Sequence, residues 1–288
     1  MVQPVIKWSG SKRSQAEAIV SYIERDYGTY YEPFCGSCAV MARILSEAPG
    51  RFRRYVASDL NADLISAYDL VKSNPGAVVS GYGRMWREMN CEQNTIEDKK
   101  KYFEKVRARL NESHDPVDFI FVMRTTTNGM PRYNSNGEFN NSFHVTRNGI
   151  NPDKFGEIVL EWSRMLNMND VEFKCCSFDE IAPSENDFMY LDPPYANTKG
   201  MYFGGFDSGR LFEYLRGVGC DWMMSYDGIA GDESMVADVP GDLYRRHEML
   251  ASGNSSFRRV MGKDRHCDVM ESLYLGFDGG EKGQSRLF

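Results

Sequence analysis

The chain has 288 residues, with 34 Lys and Arg against 41 Asp and Glu, for a formal charge of −7. Its 42% hydrophobic and 26% charged residues supply a core for one large domain or two. No apolar run approaches the ~18–20 residues needed to cross a bilayer, and the start, MVQPVIKWSGSKR, lacks the apolar stretch of a signal peptide. Seven cysteines, an odd number in a chain too long to need staples, fit a reducing cytoplasmic setting. The acidic balance argues, at first sight, against a nucleic-acid partner held by bulk charge.

No internal repeat or low-complexity tract appears, which excludes solenoids and propellers. From Thr29, TYYEPF predicts a short aromatic strand, Cys35-Gly36-Ser37-Cys38 a turn, and AVMARILSEA a helix. RRYVASDL predicts a second strand ending in an acid, and NADLISAYDLVKSN a second helix capped by Asn61 or Asp63. This alternation belongs to a parallel, doubly wound α/β sheet. From about residue 75 it stops. GAVVSGYGRMWREMN and IEDKKKYFEKVRARLNES read as amphipathic helices, VDFIFVMR as a buried helical piece, and PDKFGEIVLEWSRML as a further helix. A polar stretch over 125–148 turns at Asn134-Ser135-Asn136-Gly137. Strands resume at VEFKCCSF, DFMYLDPPY, DWMMSYD and ESLYLGF. The expected organisation is one α/β unit, 1–74 with 169–283, interrupted by a helical insert at 75–168.

Three clusters carry chemistry. Asp192-Pro193-Pro194-Tyr195 closes the strand FMYL, where open α/β sheets bind ligands. Each proline fixes its own φ and donates nothing, so a carboxylate and a carbonyl stand in a set arrangement beside an aromatic face. That suits an exocyclic amine on a planar ring, which has two hydrogens to give and a face to stack. Glu32-Pro33-Phe34-Cys35-Gly36-Ser37-Cys38 places a glycine, for close approach of a ligand, before the free N–H groups of a helix start. Asp59 ends the next strand at the spacing from which an acid takes the hydroxyls of a ribose. Lys7-Trp8-Ser9-Gly10-Ser11-Lys12 groups a base, an aromatic platform and a flexible turn.

These segments resemble the Dam-type (class alpha, D12) DNA adenine-N6 methyltransferases. IKWSGSK is similar to their KWxGxK opening and EPFCGSCAV to the EPFxGxG cofactor turn. ASDLN is similar to the acidic motif, RTTTNGMPRYNSNGEFNNSF to the DNA-reading segment, and LDPPYANT to the catalytic motif, all in the family's order. The resemblance implies a Rossmann-like S-adenosylmethionine-dependent methyltransferase sheet with a helical target-recognition insert, acting on double-stranded DNA. It implies that Trp8, Lys12, Phe34, Gly36, Asp59, Phe178 and Asp192 hold S-adenosylmethionine. Asp192 and the Pro193 carbonyl would accept the N6 hydrogens of a flipped adenine on which Tyr195 stacks. Lys7, Arg124, Asn128, Arg132 and Asn134 would meet DNA, with Arg132 placed to read a guanine edge. No metal is implied. The expected site is cytoplasmic, at the nucleoid.

Three departures stand out. Cys38 replaces the second glycine of the cofactor turn, Thr127 replaces an aromatic wedge before Asn-Gly, and Asn141-Ser142-Phe143 replaces Val-Pro-Phe, so GATC specificity is not implied. Two other readings stand beside the main one: a DNA-binding module that has lost catalysis, and methylation of the exocyclic N4 of cytosine. A thioredoxin-like reading of Cys35 and Cys38 leaves Asp192 to Tyr195 unexplained. The scattered histidines give no zinc spacing. The tail Gln284-Ser285-Arg286-Leu287-Phe288 resembles the peptide that binds the bacterial sliding clamp, with Gln284, Leu287 and Phe288 as its contacts. Basic charge concentrates locally. Arg245, Arg246, Arg258, Arg259, Lys263 and Arg265 outnumber Glu248 and Asp264, and Arg124, Arg132 and Arg147 outnumber Glu138 in the recognition stretch. The acidic total therefore bears on how strongly DNA is held, and specific contacts must supply much of the affinity.

Overall fold

The expected strand–helix alternation is present in the computed structural model, which describes residues 2–194, 206–230, 233–234, 238–251 and 269–278. A 3-10 turn at Lys12–Ser14 leads into the short α1 (Ala16–Val20). Then come β1 (Tyr27–Pro33), α2 (Ala39–Glu47), β2 (Phe52–Asp59) and α3 (Ala62–Ser73). Four helices follow without an intervening strand: α4 (Pro75–Met89), α5 (Ile96–Ser113), α6 (Pro116–Thr125) and α7 (Pro152–Met168). The second half holds β3 (Val171–Cys175), β4 (Phe188–Leu191), α8 (Ser208–Gly217), β5 (Asp221–Ala230), β6 (Glu233–Ser234), β7 (Arg246–Ala251) and β8 (Val269–Leu275).

The helix starts are local chemistry. α4, α6 and α7 each begin with proline at the first position, where its missing N–H costs nothing. The side chains of Asn74, Asp115 and Asn151 accept from first-turn amides. Thr95 and Asp98 cap α5 reciprocally, and Asn61 caps α3 by accepting from the Leu64 amide. The elements that hydrophobic patterning does not reveal are α1, α8, β6 and β7. In β7, Arg246 to Ala251, only Leu250 is buried, so an edge strand of mixed polarity shows no alternation.

The sheet order is β3-β2-β1-β4-β5-β8-β7, with β6 paired to β5. The strands from β3 to β5 are mutually parallel, whereas β8 is antiparallel to both β5 and β7. The chain runs outward from β1 to β3 and then crosses back to β4, so the order reverses between β1 and β4. Their carboxyl ends flank the crevice where such sheets bind ligands. Alternate residues enter different cores, because side-chain direction alternates along a strand. Phe188, Tyr190 and Met223 join α2, α3 and the four-helix block. Met189, Leu191, Trp222 and Met224 join Leu211 and Leu215 of α8 on the other face. The four-helix block shares its core with α3 and with Val5 and Ile6. Among the described residues no helix is long and apolar enough to cross a membrane.

One irregularity matters for the site. The β5–β8 register slips between Tyr226 and Gly228, and Asp227 there adopts a left-handed backbone with φ 43°. A Cβ on Gly228 would lie 2.0 Å from the Met270 carbonyl oxygen and 2.8 Å from the Glu271 Cα. Both neighbours are backbone and cannot move aside cheaply. Gly228→Ala is expected to lose about 1–3 kcal/mol of stability, seen as a lower urea midpoint at unchanged m-value. An unaltered midpoint would show that the strands can part at no cost.

Candidate active site

The turn after β1 is built from unusual backbone. Phe34, Gly36 and Cys38 all have positive φ, at 61°, 45° and 51°. Gly36 takes this geometry freely, and a Cβ there would sit 2.8 Å from the Trp8 ring. Cys38 is the N-cap of α2 in the left-handed region and makes no side-chain cap bond. This accounts for glycine as the family's residue at that place; a cysteine holds it at a cost of roughly 1–2 kcal/mol. The buried thiol pays this by filling the core beneath the turn. Burial pushes the Cys35 and Cys38 thiols up, away from the thiolate character a redox centre needs.

Asp59 sits at the end of β2 beside this turn. Its Oδ2 accepts from the Gly36 amide at 3.3 Å and its Oδ1 from the Asn61 amide at 3.0 Å. Burial raises its pKa against the pull of these amides. Asn61 then donates from Nδ2 to the Tyr133 hydroxyl at 2.7 Å, tying the acid's loop to the polar stretch before α7. Phe178, in a 3-10 turn after β3, stands 5.4 Å from Phe34, ring to ring. The Ser11 and Ser37 hydroxyls are 2.7 Å apart, which fastens the amino-terminal segment over the turn. Trp8, Phe34, Gly36, Asp59 and Phe178 are therefore gathered at one end of the sheet.

Asp192 follows β4 immediately, across the order reversal from Pro33. Lys12, only 5% exposed, does not face the cofactor turn alone. Its Nζ lies 2.8 Å from Asp192 Oδ1, 3.4 Å from Glu271 Oε2 of β8, and 3.3 Å from the Gly10 carbonyl. Burial pushes the Asp192 carboxyl up to about 6, against the opposing pull of the Lys12 ammonium, while Glu271 pushes it further up. Below it Glu32, 3% exposed, accepts at Oε2 from the Tyr30 hydroxyl at 2.6 Å and the Met41 amide at 2.8 Å. Burial carries Glu32 to about 8. Glu32 and Glu271 are absent from the sequence-derived set. The first was visible within EPFCGSC, whereas nothing in ESLYLGF marks the second. Tyr195 lies outside the described residues, as do Gln284, Leu287, Phe288, Arg258, Arg259, Lys263 and Arg265.

The residues expected to meet DNA divide. Arg132 is exposed, at the foot of a turn in which Tyr133 pairs with Phe139. Asn134 spends its side chain on that turn, accepting from the Asn136 and Glu138 amides at 2.9 and 3.0 Å and donating to Glu138 Oε2. Arg124 donates to the carbonyls of Val5 and Pro4 and lies 5.4 Å over the Phe155 ring. It thereby fastens the amino-terminal segment onto α6 and α7. Asn128 holds a left-handed backbone at φ 58°. Beside it the Gly129 carbonyl accepts from the Ser9 amide at 2.9 Å. The Lys7 Nζ is buried without a hydrogen-bond partner; burial, aided by Arg147 and Arg124, brings it down to about 8. Lys7 thus joins the recognition stretch to the segment that carries Trp8 and Lys12. No group of three or more His, Cys, Asp or Glu among the described residues is arranged to hold a metal ion.

A carboxylate after β4, an acid after β2 and a left-handed turn after β1 meet at the crevice. Residues 8–217, which contain all three, match the model of the D12 class N6 adenine-specific DNA methyltransferases. The chain belongs to that family. Over 209 residues it is 30% identical to the Type II methyltransferase M.MjaIII of Methanocaldococcus jannaschii, a match covering 67% of this chain and 69% of that one. It is 30% identical to M.CviBI of Paramecium bursaria Chlorella virus NC1A, across 75% and 79% of the two chains. It is also 30% identical to the DNA adenine methylase of Haemophilus influenzae, across 67% and 64%. A solved rRNA methyltransferase, aviRa from Streptomyces viridochromogenes, superposes with a TM-score of 0.42 at 10% identity, covering 96% of this chain and 85% of that one. As a D12-class enzyme the protein is a DNA adenine methyltransferase, and its sheet is the mixed α/β methyltransferase sheet.

Proposed function

We propose that this enzyme transfers a methyl group from S-adenosylmethionine to N6 of an adenine flipped out of duplex DNA. The observation that carries the reading is the Asp192 carboxylate, set by two prolines at the carboxyl end of β4, next to the Gly36 turn and Asp59. The cradle fits the cofactor. Gly36 admits no side chain beneath Trp8, α2 starts without a side-chain cap, and a half-buried acid stands at the end of β2. Trp8, Phe34, Gly36, Asp59 and Phe178 would hold it, with Asp59 on the ribose hydroxyls. Bound there, it supplies a methyl group on a positively charged sulfur.

The chain's own work is positioning. The N6 lone pair of adenine is delocalised into the ring and is a poor nucleophile. Asp192 and the Pro193 carbonyl accept its two hydrogens, which draws the lone pair out of conjugation and aims it; Asp192 takes the proton that N6 sheds on gaining the methyl group, and Tyr195 stacks on the base. Fixed dipoles in a water-poor crevice do most of the catalysis, with no covalent enzyme intermediate. Residues 1–74 and 169–283 form the catalytic unit, and 75–168 the unit that reads DNA. Within the latter, Arg132 and Asn128 contact DNA, whereas Arg124 and Asn134 hold the reading stretch in shape.

Labelled methyl transfer from S-adenosylmethionine to duplex DNA, followed by nucleoside analysis, tests this. Label in N6-methyladenine is expected. Label in N4-methylcytosine, or none on any duplex, overturns it. A second expectation concerns Arg132. Arg132→Ala should cost ~1–3 kcal/mol of discrimination at one guanine of the recognition site, measured as a ratio of kcat/KM on cognate and single-base-altered duplexes. An unchanged ratio would remove Arg132 from base reading.

A further inference from the structure

We propose that Glu271 is a positioning residue of the transfer site: it shares the Lys12 ammonium with Asp192 and so keeps the Asp192 carboxylate open to an adenine amine. This rests on the role given above to Asp192. Glu271 lies on β8, beyond residues 8–217 that match the family model.

The geometry is that of one ammonium among three acceptors. An Nζ carries three N–H groups, and here Asp192 Oδ1, Glu271 Oε2 and the Gly10 carbonyl stand within 3.4 Å of it. A buried lysine facing a single carboxylate closes on it and occupies its lone pairs. Here Lys12 touches Asp192 at Oδ1, at 2.8 Å, and a second carboxylate at 3.4 Å shares its charge and its N–H groups, leaving Asp192 acceptor capacity for the incoming N6 hydrogens. At neutral pH Glu32, the other acid facing Asp192, holds its proton, since burial raises it to about 8. Tyr190, which also faces Asp192, is pushed well above its ordinary value by burial. Among the described residues the second carboxylate within ion-pair distance of Lys12 is that of Glu271.

Plain alternation along β8 aims Glu271: it shares a face with Leu273 and Leu275, which lie in one core with Tyr190 and Met223, and β8 pairs with β7 without a break. The extra residue of the β5–β8 irregularity is Asp227, on β5. The slip falls between Tyr226 and Gly228, with Gly228 paired to Glu271. The missing Cβ of Gly228 lets the Glu271 backbone approach. This close pairing brings a carboxylate from an antiparallel strand beside the carboxyl end of parallel β4.

The test is the pH profile of single-turnover methyl transfer between pH 5 and 8 for Glu271→Gln and, separately, Glu271→Thr, a good strand former. Whichever neutral variant keeps the wild-type melting midpoint is read. Removing the anion leaves the Lys12 charge to Asp192 without a competing carboxylate. The plateau rate should fall roughly tenfold, less than loss of a direct partner would give, with KM for DNA unmoved. The acid limb, near 6 in the wild type, should move to lower pH by roughly half a unit or more. Glu271→Asp keeps the charge and should restore the wild-type limb and most of the rate. A limb that stays in place or moves upward, or an Asp variant impaired like the neutral ones, overturns the proposal. If the wild type itself transfers no methyl to adenine, the reading of Asp192 fails instead; if it does and the limb is unmoved, only the role of Glu271 fails.

Discussion

Asp192→Ala is expected to abolish methyl transfer, with a loss of at least ~10²–10³-fold in single-turnover rate, while DNA affinity stays near that of the wild type. The side chain acts on the amine only as it reacts, so its removal should lower kcat and leave KM for DNA nearly unchanged. Asp192→Asn is the sharper variant. It keeps the shape but replaces one acceptor oxygen with a donor, which faces the N6 hydrogens with hydrogens. In the wild type the carboxylate is the working form. Its pKa lies near 6, raised by burial against the Lys12 ammonium, so the rate should climb as pH rises through that value and level off above it. A variant at residue 192 that keeps its turnover, or a wild-type rate flat from pH 5 to 8, would remove Asp192 from the chemistry. Loss of DNA binding together with the rate would show instead that the crevice had collapsed.

Glu32→Gln is expected to make the protein more stable at alkaline pH. Burial raises the Glu32 carboxyl from 4.5 to about 8 in the folded protein, so between these values the folded state binds more protons than the unfolded one. By linkage, stability falls as pH rises through that window. The whole contribution is present below 4.5 and is gone above 8. The accompanying loss is about 5 kcal/mol. Asp192 acts in the same direction but only up to about 6. Lys7, depressed to about 8, acts in the opposite direction above that pH. The difference between variant and wild type isolates Glu32. A glutamine oxygen can accept from the Tyr30 hydroxyl and the Met41 amide as Glu32 Oε2 does, and it cannot ionise. Urea unfolding at pH 5, 7 and 9 should give curves that diverge upward for the variant, with methyl transfer retained at neutral pH. A variant less stable than the wild type at pH 9 would mean that Glu32 is held ionised by its partners.

Residues within a few positions of one another were legible. Asn61 caps α3, Thr95 and Asp98 cap α5, and proline opens α4, α6 and α7, because these effects act across a single turn. The turn Asn134 to Gly137 forms where its residue types place it. That Phe34, Gly36, Asp59 and Phe178 come together was also legible. They stand at or just past the ends of β1, β2 and β3, parallel strands that deliver their ends to one edge, whereas Trp8 reaches the turn from the amino-terminal segment. The fates of Arg124 and Asn134 were not. The family resemblance implied a DNA contact, but one fastens Pro4 and Val5 while the other closes its own turn, and only packed neighbours decide how a donor is spent.

The sequence by itself determined the alternation, the helix starts, the carboxylate after FMYL and the presence of a turn at Cys35 to Cys38, since each depends on local sterics and hydrogen bonding. The tertiary structure alone decided that Lys12 stands between Asp192 and Glu271. That meeting requires β4, β5 and β8 to lie side by side, β8 to run against the others, and Gly228 to admit the Glu271 backbone. Strand order and register are set by burying two faces of a sheet at once. That free energy is summed over the whole core, and no short stretch of sequence contains it.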